Sequence, residues 1–186
     1  MINVNDLKNG MTIKHEGNVY QVIEFQHVKP GKGGAFVRTK LKNLKSGSTI
    51  DVTFNAGIKI EKANVEKRNY IYLYANGGSS YVFMDAQSFD QVDVDSSVLG
   101  DNVKFLKANL EVEVMLYEDN IIGITLPEKV SYLVIEAEEA VKGNTTSGAL
   151  KDIKIETGYT LKAPLFISEG EEVIITTSDG KYSSRA

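Results

Sequence analysis

The chain of 186 residues is long enough for one large domain or two to three small ones, and 42% apolar with 25% charged residues fits a globular protein rather than a disordered or fibrous one. It contains no cysteine, which excludes disulfides, thiolate chemistry and cysteine-based zinc sites and fits a reducing compartment. The net charge of -4 is uneven: residues 1–64 carry ten Lys and Arg against five Asp and Glu, residues 65–127 four against ten, and residues 128–186 seven against ten.

A basic first third beside two acidic ones suggests that the first part meets a polyanion while the rest is an acidic body. The N-terminus, Met1-Ile2-Asn3-Val4-Asn5-Asp6, lacks the basic and apolar regions of a signal peptide. No apolar run approaches the roughly 18 residues of a membrane span. A cytoplasmic protein with no membrane partner is expected.

Strands dominate the pattern. Short runs rich in Val, Ile, Tyr, Phe and Thr predict strands over Val19–Val28, Phe36–Leu44, Tyr70–Tyr74, Tyr81–Asp85, Leu110–Tyr117, Ile121–Leu126, Ser131–Glu136 and Glu172–Thr177. Turn signals separate them at Glu16-Gly17-Asn18, Ser46-Gly47-Ser48, Asn76-Gly77-Gly78, Glu118-Asp119-Asn120 and Asp179-Gly180. Leu99, Val103 and Leu106 recur at helical spacing and predict one short helix over Asp101–Lys107. Many short strands imply barrels or sandwiches, an all-β class. The charged stretch Lys62–Lys67 and the strand-breaking Leu126-Pro127-Glu128 divide the chain into pieces 1–64, 65–127 and 128–186, each close to the lower size limit for an independent core.

Phe25 to Ile50 is the most informative stretch, with Lys29, Lys32, Arg38, Lys40, Lys42 and Lys45 and no Asp or Glu. Its centre, Lys29-Pro30-Gly31-Lys32-Gly33-Gly34-Ala35, lies between two strand-like runs and reads as a long hairpin loop. Pro30 fixes one φ, while Gly31, Gly33 and Gly34 permit positive φ and close approach of foreign backbone. The tip then has little bulk except Lys32. In the following strand, alternation turns Val37, Thr39 and Leu41 to one face and Arg38, Lys40 and Lys42 to the other, a cationic ribbon suited to RNA phosphates. A solvated glycine-lysine turn is the bland alternative. A nucleotide-binding P-loop fails because Gln26 stands where its first glycine is required, Gly33 where Ser or Thr is required, and no helix pattern follows.

Lys29-Pro30-Gly31-Lys32-Gly33-Gly34-Ala35-Phe36 resembles the K-P-G-K-G-x-A-F loop of the bacterial elongation factor P family. The resemblance runs in order through Tyr72-Leu73-Tyr74, Tyr81-Val82-Phe83-Met84-Asp85, Phe105-Leu106-Lys107, Gly123 to Pro127, Val141 to Thr145, Glu156-Thr157-Gly158, Pro164-Leu165-Phe166-Ile167 and Gly180 to Arg185. It implies an SH3-like (KOW-like) barrel followed by two OB-fold barrels, arranged as an L of roughly tRNA shape. It further implies a factor that enters between the P and E sites of the 70S ribosome stalled on consecutive prolines and stimulates peptide-bond formation. Lys32 would be lengthened by a dedicated modifying enzyme and lie along the CCA end of peptidyl-tRNA. Gly143, Asn144, Thr145, Tyr182 and Arg185 become candidates for contact with tRNA or mRNA. The family's third domain sets this chain apart from its two-domain eukaryotic and archaeal relatives. Asn144 stands where the family usually has Asp, and Asp152 and Ala163 also depart from its pattern.

The remaining residues offer little chemistry. His15 and His27 lack a convincing carboxylate partner and read as surface or strand-end residues, although His27 lies near the basic loop and could help bind phosphate. Asp93, Asp95 and Asp101 fail the calcium-loop pattern, because Val98 and Lys104 stand where Gly and Glu are needed. Asn144-Thr145-Thr146 matches a glycosylation acceptor by chance. Tyr70, Tyr72, Tyr74, Tyr81 and Phe83 could stack bases, or equally form a core. The expectation is a monomeric non-enzyme with no cofactor, metal or catalytic residue. The alternative is a generic RNA-binding protein of OB or SH3-like fold with no role at the peptidyl-transferase centre.

Overall fold

A computed structural model describes residues 1–140 and 148–186. The chain divides into two compact units, Met1–Arg68 with Val114–Ile124, and Asn69–Glu113 with Thr125–Ala186. The class is all-β, as expected, built from three curled sheets.

The first unit holds β1 (Ile2–Asn3), β2 (Thr12–His15), β3 (Asn18–Val28), β4 (Phe36–Asn43), β5 (Thr49–Asn55) and β6 (Lys59–Lys62) in the order β1-β6-β2-β3-β4-β5. Alternating apolar residues close its core: Ile13 on β2, Tyr20 and Val22 on β3, Val37 and Leu41 on β4, Phe54 on β5 and Ile60 on β6, with Val4 and Leu7 between β1 and β2. The β2–β3 hairpin turns through Glu16 and Gly17, both at positive φ (47° and 80°), with His15 paired to Asn18. That two-residue turn matches the strand twist. β3 outruns the core. Its residues 24–27 are exposed on both faces, whereas 20–23 alternate buried and half-buried.

The second sheet follows the order β11-β10-β7-β8-β9, with β7 (Val65–Asn76), β8 (Ser80–Asp85), β9 (Gln91–Asp95), β10 (Glu111–Tyr117) and β11 (Asn120–Thr125). The third has the order β14-β13-β12-β15-β16, with β12 (Lys129–Ala137), β13 (Leu150–Ile155), β14 (Thr160–Pro164), β15 (Glu172–Thr176) and β16 (Lys181–Arg185). Strand β7 reaches back to Val65, through half of the charged stretch Lys62–Lys67 expected to divide the first two pieces. Glu66 and Arg68, two apart and so on one face, form an ion pair of 2.8 Å along the strand.

The expected helix over Asp101–Lys107 is displaced. One α-turn, Ser96–Leu99, starts where the Asp95 carboxylate accepts from the Ser97 amide at 2.8 Å. It ends at Gly100 (φ 54°), and a 3₁₀ helix continues over Gly100–Phe105. Leu99 and Leu106 are buried as their spacing predicted, but the glycine breaks the α geometry between them.

Inside the second unit, this 3₁₀ segment is tied to the third sheet. Buried Tyr132 on β12 donates to the Phe105 carbonyl at 2.6 Å, and Thr157 donates to the Lys104 carbonyl at 2.7 Å. Lys107 donates to the Ser131 carbonyl, and the Phe105 ring meets Tyr159 edge-on at 5.3 Å.

Candidate functional site at the tip of the basic hairpin

The β3–β4 ladder runs from Tyr20 opposite Asn43 to Val28 opposite Phe36, so residues 29–35 close a long hairpin. Lys29, Pro30, Gly31, Lys32, Gly33 and Gly34 are all exposed. At the loop's end the Ala35 carbonyl accepts from the Ala56 amide at 2.9 Å. The Lys32 side chain makes no hydrogen bond or ion pair among the described residues. Positive φ was expected to be available at three glycines, but Gly33 alone uses it (φ 106°). Gly31 and Gly34 have ordinary φ and nothing within 4 Å of where a Cβ would lie. They keep the tip thin without relieving strain.

In β4 the predicted alternation is present. Val37, Thr39 and Leu41 are buried, and the Thr39 hydroxyl is satisfied by the Val52 carbonyl at 2.8 Å. Arg38 and Lys42 are exposed on the other face, with Lys40 half-buried between them. The Arg38 guanidinium lies 5.5 Å from the Phe36 ring centroid, a cation–π contact that holds it over the strand.

The face is not the uniform cationic ribbon that the sequence suggested. Lys40 pairs with Glu24 on β3 and with Asp51 on β5, so a carboxylate flanks it on each side. Glu24, Gln26, Arg38, Lys40, Asp51 and Thr53 line a shallow groove of about 360 Å³. Arg38 is flanked instead by Gln26 and Thr53, and Lys42 by Gln21 and Thr49, all uncharged. The acid-free window from Phe25 to Ile50 stops one residue short of both acids, and strand pairing folds its two ends onto its middle. The β3 partner was legible, because equal steps back and forward from Lys32 reach Glu24 and Lys40 together.

His27 pairs with Val37 and so lies on the face opposite Arg38, where its ring meets Phe25 edge-on at 5.7 Å. It does not join the cationic face. His15 sits half-buried between the rings of Tyr20 and Phe54, with Nε2 3.9 Å from Glu16.

The C-terminal candidates differ among themselves. Arg185 is held by its own barrel: its guanidinium lies 3.3 Å from the Glu171 carboxylate, donates to the Phe166 carbonyl at 3.4 Å and stacks 4.6 Å from the Phe166 ring centroid. Tyr182 is half-buried in a groove of about 650 Å³ shared with Tyr159, Leu161, Lys162, Pro164 and Lys181. Gly143, Asn144 and Thr145, and with them the Asn144 acceptor pattern, fall outside the described residues.

The aromatic residues of the middle third are mostly core. Tyr70, Tyr72 and Phe83 are buried, and Tyr72 packs 5.3 Å from Phe83 and 6.4 Å from Tyr81. Burial first, then the neighbouring Tyr81, raises the Tyr72 phenol above its ordinary pKa. Tyr74 remains exposed. Asp93 accepts from the Ser80 hydroxyl at 3.1 Å and the Asp95 carboxylate caps the α-turn, so both acids make local structural contacts. Among the described residues no group of three His, Asp or Glu side chains is placed to hold a metal ion.

Three family models match the chain in order: the elongation factor P KOW-like domain over residues 3–60, the elongation factor P OB domain over 65–124, and the elongation factor P C-terminal domain over 130–185. The chain is also 49% identical over 186 residues to elongation factor P of Symbiobacterium thermophilum, covering the whole of both. The chain belongs to the elongation factor P family. It is thereby a translation factor, of a family that works with the ribosome.

Two solved structures share the fold with this elongation factor P family member. One is eukaryotic translation initiation factor 5A from Methanococcus jannaschii, with TM-score 0.51, 21% identity, 66% of this chain covered and 94% of that one. The other is a translation initiation factor 5A family protein from Naegleria fowleri, with TM-score 0.53, 17% identity, 67% of this chain covered and 96% of that one. Among the described residues, no helix is long and apolar enough to cross a membrane.

Proposed function

We propose that this elongation factor P family chain binds the 70S ribosome between the P and E sites and stimulates peptide-bond formation at polyproline stalls, by using Lys32 to steady the CCA end of peptidyl-tRNA. The supporting observation is that Lys32 is exposed, has no partner among the described residues and is carried on a thin glycine-flanked tip. A catalytic lysine needs a neighbour that sets its protonation or takes its proton. Lys32 has no such neighbour within the described chain, and its amine suits placement of an anionic substrate. The chain then acts on an RNA enzyme without being an enzyme.

Orientation is sufficient reason for the effect. Holding reactants in reacting geometry contributes on the order of 7 kcal/mol or more in the best intramolecular models. Peptidyl-prolyl-tRNA has a restricted φ and reaches that geometry poorly. A bare lysine has a four-carbon stem, which gives a physical motive for a modifying enzyme to lengthen it. Arg38 and Lys42 would meet rRNA or tRNA phosphates along the approach.

The three pieces 1–64, 65–127 and 128–186 are proposed as domains. Three sheets and three consecutive family matches support that division, although Val114–Ile124 packs with the first 68 residues. The protein is proposed to act as a cytoplasmic monomer. Tyr182, Arg185 and residues Gly143 to Thr145 are proposed tRNA or mRNA contacts, Arg185 through a guanidinium already preset by Glu171. A generic RNA-coating role is disfavoured by the excess of acid after residue 64.

Reconstituted translation of a polyproline reporter tests the reading. Lys32→Ala is expected to abolish stall relief at an unchanged melting temperature, and full activity of that variant would refute the assignment. Peptide mass spectrometry of natively produced protein should find an adduct on Lys32; bare lysine with full activity removes the modifying enzyme from the proposal.

A further inference from the structure

The turn joining β8 to β9 holds a large apolar side chain where the backbone disfavours one. Phe89 has φ 63° and is 68% exposed. A bulky L-residue in the left-handed region is an outlier, because its Cβ crowds the following carbonyl. Among the described residues, the four other non-glycine residues at positive φ are Glu16, Asn109, Glu118 and Asp119, all polar and exposed. Phe89 is the apolar exception.

The turn does not need the ring. The Asp85 carboxylate accepts from the amides of Gln87 and Ser88 at 2.7 and 3.1 Å. The Phe89 amide donates to the Asp85 carbonyl, and the Asp85 amide to the Asp90 carbonyl, both at 2.9 Å. Every one of these bonds would survive with Asn or Gly at position 89, residues suited to this φ. The ring itself makes no aromatic or cation–π contact among the described residues. A lone exposed apolar residue on relaxed backbone calls for no explanation. One kept at a conformational cost and left uncovered is a candidate contact.

The charges around it select the partner. Asp90 follows Phe89 directly, and Asp93 and Asp95 are exposed on β9, which ends its sheet in the described order. Hydrogen bonds from Ser97 hold the Asp95 carboxyl below its ordinary pKa. No Lys or Arg occurs between Arg68 and Lys104. Nucleic-acid phosphates are repelled by such a surface, whereas a basic protein surface is attracted to it.

We propose that Phe89 is an anchor that inserts into an apolar pocket on a basic protein, with Asp90, Asp93 and Asp95 meeting the cations around it. The inference rests on the ribosome reading above, which makes a ribosomal protein the occupant and places a protein contact far along the chain from the RNA-directed hairpin.

Binding to purified 70S ribosomes tests it. Phe89→Asn is expected to bind on the order of tenfold more weakly, the scale of an interface anchor, while melting at the same or a higher temperature. Phe89→Tyr keeps the ring and is expected to retain affinity. A photoreactive p-benzoylphenylalanine at position 89 should crosslink to a ribosomal protein. Wild-type affinity of Phe89→Asn, or crosslinks to rRNA alone, overturns the proposal and leaves the Lys32 assignment standing. Wild-type protein that fails to bind 70S ribosomes removes both.

Discussion

Gly33 carries the backbone demand of the tip, since it alone of the loop's three glycines sits at positive φ. Gly33→Ala should therefore cost about 1–2 kcal/mol, provided the loop keeps its shape. Gly31→Ala and Gly34→Ala should stay within about 0.5 kcal/mol of the native protein. Urea unfolding of the three variants checks this, and equal midpoints would mean that the loop relaxes around any side chain. If Gly33 also sets the direction of Lys32, its variant should lose more stall relief than the other two. Glycine was readable as permissive in all three places, but its need for positive φ was visible only from the dihedral angle.

At the scale of the hairpin, cross-strand pairing decides which cations stand beside acids and which beside uncharged neighbours. Lys42 has uncharged neighbours and Lys40 has Glu24 and Asp51. A phosphate approaching Lys40 must also approach two carboxylates. Lys42→Ala is accordingly expected to lower the slope of log affinity against log salt for ribosome binding by about 1. Lys40→Ala should change it less. Glu24→Gln combined with Asp51→Asn should tighten binding at low salt, and weaker binding from that pair would show that the acids support the interface instead. Apolar alternation was enough to reveal β3 and β4. The strands that escaped it, such as β9 with Asp93 and Asp95, β14 with Pro164 and β16 with Ser183 and Ser184, carry polar outer faces on short edges and depend on their neighbours for a partner.

Across the second unit, stability depends on how the 3₁₀ segment and the third sheet are joined. Tyr132 is buried and its hydroxyl donates to the Phe105 carbonyl. Burial pushes its pKa far above the ordinary tyrosine value, with the Glu156 carboxylate adding to the shift, so the donated proton stays on through the neutral range. Tyr132→Phe should leave that carbonyl unsatisfied and cost about 1–3 kcal/mol. The urea midpoint should fall with the slope unchanged, and an unchanged midpoint would mean that water replaces the hydroxyl. Barrels of about 60 residues bury too little surface to be robust alone, which gives such joints their weight.

Composition, alternation and turn residues determined by themselves that this protein is all-β, basic at one end, and tipped by a lysine between glycines; the ordered motifs determined its family. These are local properties, written in neighbouring residues. Tertiary structure alone decided that Asp51 would stand beside Lys40, that Arg185 would be held by Glu171, and that Phe89 would be both strained and uncovered. Each of those depends on register or on a backbone angle, and pairing brings together residues whose separation along the chain gives no sign of their meeting.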